Sequence, residues 1–153
     1  ELSRYRADLE SLVSERTQEM QEANQNLLQV ISEKDEVERE LLFTRFAFNH
    51  ASDSILLFDR QGAVYRANMT AGELLGYTPG ELHETTVFTI NPSISRAAWD
   101  LMWKEALPGR KERIRSVHRK KDGHIFDVEV SRTFVEFGEK MYFCSIAREI
   151  TPE

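Results

Sequence analysis

From Leu2 to Leu41 the apolar residues fall into two interleaved rows separated by alternating steps of four and three, and no glycine or proline interrupts them. One row reads Leu2, Leu9, Arg16, Ala23, Val30, Val37; the other reads Arg6, Val13, Met20, Leu27, Lys34, Leu41. Nine of these twelve positions are apolar, which is enough to define a seam. This spacing confines it to a narrow line on one side of a helix, the geometry of a coiled coil, whereas a helix packed on a globular core shows a wider stripe. A continuous helix over residues 2–44 would be ~65 Å long at 1.5 Å per residue. Residues 46–153 cannot cover such a length, so the seam needs a second helix. A parallel homodimer is the expectation; an antiparallel or intramolecular pair is the alternative. Arg6, Arg16 and Lys34 interrupt the seam. Either their long side chains snorkel outward, or they keep the seam loose enough for two helices to shift.

The rest of the chain is a different physical object. Residues 1–45 hold 11 acidic and 6 basic side chains, a net −5, and two aromatics, Tyr5 and Phe43. Residues 46–153 hold 15 acidic and 14 basic groups, all seven glycines, all four prolines and 13 aromatics, the composition of a nearly neutral globular domain. The expected organisation is therefore a coiled-coil helix over 1–45 and a globular domain over 46–153. A lone cysteine, Cys144, excludes an internal disulfide and any multi-cysteine metal site. No run approaches the ~20 apolar residues of a membrane span, and no secretory leader is visible. The sequence starts without Met in the middle of a helical pattern, as expected of a piece of a longer protein. A cytoplasmic, reducing setting fits, with any membrane anchor of the parent protein lying outside these residues.

Within 46–153, Leu41–Phe48 reads as a helix end docking on a core. Ser54–Asp59 reads as a strand, Arg60–Gly62 as a turn and Ala63–Asn68 as its hairpin partner. Short helices are expected over 69–76 and 79–82, around Tyr77-Thr78-Pro79-Gly80, and a longer one over Ser95–Ala106. In the last of these Ala98, Leu101 and Met102 share one face and Trp99 and Trp103 lie four apart. Residues 110–119, 124–137 and 140–150 read as strands, the first two joined by Asp122-Gly123, a pair suited to a tight hairpin. The fold class is α+β: a five-stranded antiparallel sheet with three short helices on one face. Strands 54–59 and 140–150 are apolar on both sides, so both faces of the sheet should be covered.

These residues carry a family resemblance. The opening SILLFD, Gly62, Asn68, LLGYTPGEL (Leu74–Leu82), HRKKDGHIFDVEVS (His118–Ser131) and the closing REIT (Arg148–Thr151) occur in the order and spacing of a PAS domain. The segment Arg6–Leu27 is similar to the linker helix that precedes PAS or kinase modules in bacterial sensor histidine kinases and diguanylate cyclases. The resemblance implies a sensory module of a two-component or cyclase signalling protein. Such a module binds a small ligand between sheet and helices, or binds nothing and only dimerises. It relays a change through Glu149, Ile150 and Thr151 to an output domain. Glu149 stands where the family usually has Asp, and the longer carboxylate is expected to make the same ion pair.

Alternation nominates Leu56, Phe58, Phe126, Val128, Val130, Phe143, Ser145 and Ala147 as cavity walls, and Trp99 and Trp103 are placed to stack on a flat ligand such as a flavin. The plainer reading of the same residues is a filled hydrophobic core with no cofactor. Haem would need an axial ligand, for which His83 is the candidate and His50 a more remote one. His118 and His124 bracket a hairpin turn, and with Asp127 or Glu129 they offer a weak metal set. Cys144, on the last strand, lacks the motif of light-sensing family members and reads as a small buried hydrophobe. The basic run Arg110–Lys121 alternates with Ile114 and Val117 and reads as a solvated strand edge, with no groove-reading helix or aromatic platform for nucleic acid. No nucleophile–base pair, phosphate loop or carboxylate pair points to catalysis, and none is expected of this module.

Overall fold

A computed structural model describes residues 1–151. The chain falls into two compact units, Glu1–Arg45 and Phe46–Glu153. Helix α1, Leu2–Asn49, is unbroken over 48 residues, as a sequence with no glycine or proline permits. Every residue of the first unit is exposed, the seam residues among them, from Leu2 at 87% to Leu9 at 46%. Leu12, Leu28 and Ile31 flank the seam and are exposed as well. Two of the basic interruptions turn away to glutamates on the same helix: Arg16 meets Glu19 at 3.4 Å and Lys34 meets Glu38 at 3.9 Å. Exposed pairs of this kind contribute only a few tenths of a kcal/mol.

The second unit is built on five strands: β1 (Ser54–Phe58), β2 (Val64–Ala67), β3 (Glu112–Arg119), β4 (Ile125–Phe137) and β5 (Lys140–Glu149). They form one antiparallel sheet in the order β2-β1-β5-β4-β3. Between β2 and β3 come α2 (Met69–Leu75), α3 (Pro79–His83), α4 (Val87–Ile90) and α5 (Arg96–Lys104). The sequence suggested three short helices here; the fourth, α4, is a single turn of Val-Phe-Thr-Ile with no side-chain cap. Nothing in those residue types announces a helix. Backbone hydrogen bonds from Val64 N–H to Thr85 and from Val87 N–H to Gly62 hold its start against the β1–β2 turn, so tertiary contacts impose it.

The other helices announce themselves chemically. Asn68 caps α2, Thr78 and Glu81 form a capping box on α3 behind Pro79, and the Ser95 hydroxyl accepts from Ala98 N–H at the start of α5. On α5 the buried side is set by the two indoles: Trp99 and Trp103 point into the core while Ala98 and Leu101 are exposed and Met102 is half-buried. The face that Ala98, Leu101 and Met102 share is thus largely the outer one, because two tryptophans four apart outweigh smaller residues in choosing the buried side. β3 likewise starts at Glu112, two residues later than residue 110, since Gly109 N–H turns to bond the Phe134 carbonyl.

The core lies on the inner face of the sheet. Leu56, Phe58, Phe126, Val128, Phe143 and Ala147 from the strands meet Ala71, Leu75, Leu82, Ile90, Trp99 and Trp103 from the helices. Its centre is aromatic. Trp99 stands edge-to-face to Phe143 at 5.3 Å, Trp103 at 5.8 Å and Phe58 at 6.2 Å, and its indole N–H donates to the Arg60 carbonyl. On the outer face Ile55, Leu57 and Cys144 are half-buried and Tyr142 is buried beneath Tyr65, stacked at 4.3 Å. Ile146 remains exposed there.

Gly62 closes the β1–β2 turn with φ +91°, and a Cβ there would come within 2.9 Å of Phe88 and 3.0 Å of Val87. Gly62→Ala should therefore cost ~2 kcal/mol, from left-handed backbone strain and the crowding of α4. Urea denaturation reads this directly; an unmoved midpoint would show that α4 yields freely.

Candidate functional site

β3 decides what the interior offers. Its alternation turns Ile114, Ser116 and His118 inward, opposite Val130, Val128 and Phe126 of β4, and turns Arg113, Arg115 and Val117 outward. Ile114 and Val117 are three apart and therefore lie on opposite faces. Asn91, the residue that ends α4, is buried and donates from Nδ2 to Ser116 Oγ at 2.9 Å. Its Oδ1 accepts from both Ser93 N–H (3.0 Å) and Ser93 Oγ (2.6 Å). Phe58, Val130, Arg132, Phe143 and Ser145 complete a cavity of about 30 Å³ against these residues.

His118 is the unusual member. It is only 4% exposed, stands edge-on to Phe126 at 6.3 Å, and its Nδ1 is buried without a hydrogen-bond partner. Burial lowers its pKa from 6.5 to about 4, so the ring is neutral at pH 7. Because the unfolded chain binds a proton between those two values and the folded chain does not, stability is lost as pH falls from about 6.5 toward 4. The full effect is ~3 kcal/mol. Replacing His118 with Phe should flatten that part of the stability–pH curve, as measured by urea denaturation at pH 7 and pH 4.5.

All ten residues expected around a cavity are buried. Only Phe58, Val130, Phe143 and Ser145 line the space that exists. Leu56, Trp99, Trp103, Phe126, Val128 and Ala147 are packed as core. The two tryptophans cross at 63°, and Trp103 also meets Phe134 edge-on at 5.0 Å, which leaves no parallel slot for a flat ring. A space of 30 Å³ has no room for a flavin or a haem. Ile114, Ser116 and Asn91 were not legible as site residues, and His118 reads from the sequence as a hairpin-flanking metal candidate and not as part of the interior. Strict alternation counted from Ile114 would have found Ile114, Ser116 and His118, but the flanking arginines disguised the strand as a wet edge.

The sequence matches the family described as PAS fold over residues 48–153. The chain belongs to the PAS fold family. No protein with a curated description matches it. Among solved structures it resembles the PAS domain of an HTR-like protein from Haloarcula marismortui, at 17% identity and a TM-score of 0.73, covering 78% of this chain and 98% of that one. It also resembles a PAS domain from a two-component sensor histidine kinase, at 21% identity and a TM-score of 0.65 over 74% and 99% of the two chains. A domain of a sensory box sensor histidine kinase/response regulator from Geobacter sulfurreducens gives 20%, 0.60, 73% and 96%. The family makes this a sensory module of a signalling protein.

The remaining histidines of the PAS domain do not meet. His83 and His50 are exposed, the latter with its ring 4.2 Å from Phe46, and neither lines the cavity. His124 is exposed in the β3–β4 turn while His118 points inward, so the two do not pair across the hairpin. Among the described residues no three His, Cys, Asp or Glu side chains are grouped as a metal site, and no helix is long and apolar enough to cross a membrane. Cys144 is half-buried on the outer face, where burial raises its pKa and disfavours the thiolate. Several basic side chains of the 110–121 stretch have partners within the domain: Arg113 with Glu129, Arg110 with Glu112, Lys121 with Glu81, and Arg119 with the Thr89 carbonyl.

At the end of β5 an ion pair ties the strand back to the start of β1. Glu149 is exposed, and its neighbour Arg148 donates from Nε and one Nη to both carboxylate oxygens of Asp53, at 2.9 and 3.2 Å. In an antiparallel pair the residue at the strand end nearest the start of β1 meets that start, and this is Arg148, one step past Ala147↔Ser54. Ile150 is half-buried and its N–H donates to the Asp127 carbonyl, while Thr151 is exposed. Asn68 binds the same corner. It accepts from Ile55 N–H and Ala71 N–H and donates to the carbonyls of Phe48 and Asp53. The family mark noticed in the sequence is a four-way junction between a helix end, two strands and α2.

Proposed function

We propose that this chain is a dimeric sensory relay. Two copies pair through the seam of α1, the PAS domain responds to a small molecule in its interior, and the change leaves through Arg148–Thr151 to an output domain. The parent protein on this reading is a histidine kinase or diguanylate cyclase acting in the cytoplasm, and the module itself is not catalytic. The observation that carries the reading is the helix. A unit with no buried residue has no core of its own, and an isolated helix draws most of its stability from packing an apolar face. The heptad seam names a second copy as the natural partner.

A second reading, a ligand-free dimerisation and relay spacer, is favoured by the small size of the cavity. Filling the cavity separates the two. Ser116→Leu with Ser145→Val in the parent protein should abolish the response under the sensory reading and leave it intact under the spacer reading. A native mass spectrum of the purified chain tests the assembly. The expected result is the mass of two chains; a monomer at micromolar concentration would overturn the relay.

A further inference from the structure

Arg132 is bonded along one edge of its guanidinium only. Glu112, directly opposite it across the β3–β4 pair, accepts from Nε at 3.0 Å and from Nη2 at 2.8 Å. The other terminal nitrogen, Nη1, meets only the Met102 sulfur at 4.0 Å, a weak acceptor, so the second edge of a rigid donor fork is unspent. The side chain is 27% exposed, and both Arg132 and Met102 line a pocket of about 150 Å³ between the end of α5, the α5–β3 loop and the start of the β3–β4 pair. Arg110 and Glu112 lie on its wall 3.5 Å apart, so the sheet side carries two guanidinium groups against one carboxylate. The α5 side has the opposite character. Glu105 is the C-cap of that helix, where the helix dipole is negative and favours a cation, and its carboxylate forms no ion pair among the described residues. Glu105 N–H bonds the Leu101 carbonyl and Ala106 N–H the Trp103 carbonyl, which leaves the Met102 carbonyl between them without a donor from the helix.

We propose that this pocket binds a small α-amino acid. The carboxylate sits on the free edge of Arg132 and on Arg110, the ammonium on Glu105 at the end of α5, and the side chain against Leu107 and Phe134. A simple carboxylate leaves Glu105 unmet, and a simple amine leaves the two guanidinium groups unmet. A molecule with both charges answers both walls, and each end then recovers its desolvation in a charge-assisted hydrogen bond. A space of about 150 Å³ holds a benzene-sized molecule, and alanine has about as many heavy atoms. The pocket shares only Met102 and Arg132 with the interior cavity, so the proposal goes beyond the sensory reading and holds whether or not that cavity is filled.

Alanine, propionate and ethylamine test this, because the last two are alanine without its ammonium and without its carboxylate. Each is titrated into the ¹⁵N-labelled chain and followed by amide shifts. Alanine should move the amides of Ala106, Leu107, Arg110 and Phe134, with each truncated probe at least tenfold weaker. Glu105 and Arg110 are exposed, so the fold tolerates their replacement. Glu105→Gln should weaken alanine about tenfold and leave propionate unchanged, a gap equal to one charge-assisted hydrogen bond. Arg110→Gln should weaken alanine and propionate alike and leave ethylamine unchanged. Arg132→Gln, checked for folding by the same spectrum, should weaken alanine at least tenfold. Propionate binding as tightly as alanine, or Glu105→Gln without effect, would overturn the amino-acid class. No shift with any probe would overturn the site. Shifts centred on Ser116 and His118 would place binding in the interior, overturning this pocket while supporting the sensory reading.

Discussion

In the proposed dimer, replacing Leu27 by Asp should raise the dissociation constant by about a thousandfold and leave the PAS domain folded. Leu27 sits mid-seam and is 59% exposed in the single chain, so its burial is available only to assembly. Burying a leucine is worth ~1.5–3 kcal/mol, and a two-fold dimer loses two of them, ~3–6 kcal/mol in all. At 1.4 kcal/mol per decade this is a factor of ~10² to 10⁴. Two carboxylates facing each other on helices that already carry a net −5 over residues 1–45 push toward the upper end. Sedimentation equilibrium measures the constant. Near-ultraviolet circular dichroism, dominated by Trp99 and Trp103, reports the domain. A dimer as tight as the parent's would place the interface elsewhere and sink the coiled-coil reading.

Asn68→Ala should cost the domain ~4 kcal/mol. The side chain is 2% exposed and makes four hydrogen bonds, each to a backbone group of a different segment. Losing the helix cap on Ala71 N–H alone costs ~1 kcal/mol. The Ile55 amide and the Phe48 and Asp53 carbonyls are then left in a crowded corner, at ~1 kcal/mol or more apiece. For a domain of this size such a loss lowers the melting temperature by ~15–25 °C. The neighbouring Arg148–Asp53 pair is exposed and contributes at most ~1 kcal/mol, so Arg148→Met should move the melting point far less. A drop below ~1 kcal/mol for Asn68→Ala would mean that water replaces the amide and that the junction is not structural.

What could be read in advance divides along a physical line. Local signals were sufficient wherever one residue type forces one geometry. The heptad spacing drew α1, Tyr77-Thr78-Pro79-Gly80 marked the break between α2 and α3, Asp122-Gly123 turned the β3–β4 hairpin, and period-two alternation put Leu56, Phe58, Val128 and Phe143 inside. Where the geometry comes from a distant partner, the same reasoning failed. α4 is helical because Gly62 and Val64 hold its first residues, and a run of Val-Phe-Thr-Ile carries no such instruction. Leu101 was turned outward by the bulk of two tryptophans. The Arg148–Asp53 ion pair, which no local pattern records, forms because the β1–β5 register sets the two side chains together.

The sequence by itself determined a long helix with an apolar heptad seam, an antiparallel α+β domain of the PAS family and the inward face of most strands, because periodicity and turn chemistry act within a few residues. Only the tertiary structure decided how full the interior is and what lines the space left in it. Ser116 and His118 come from β3, Ser145 from β5 and Asn91 from the end of α4, and no local pattern records that they line one space. The volume between them is the small difference between the packing of large side chains and the frame that holds them, which is fixed only when all the elements are in place.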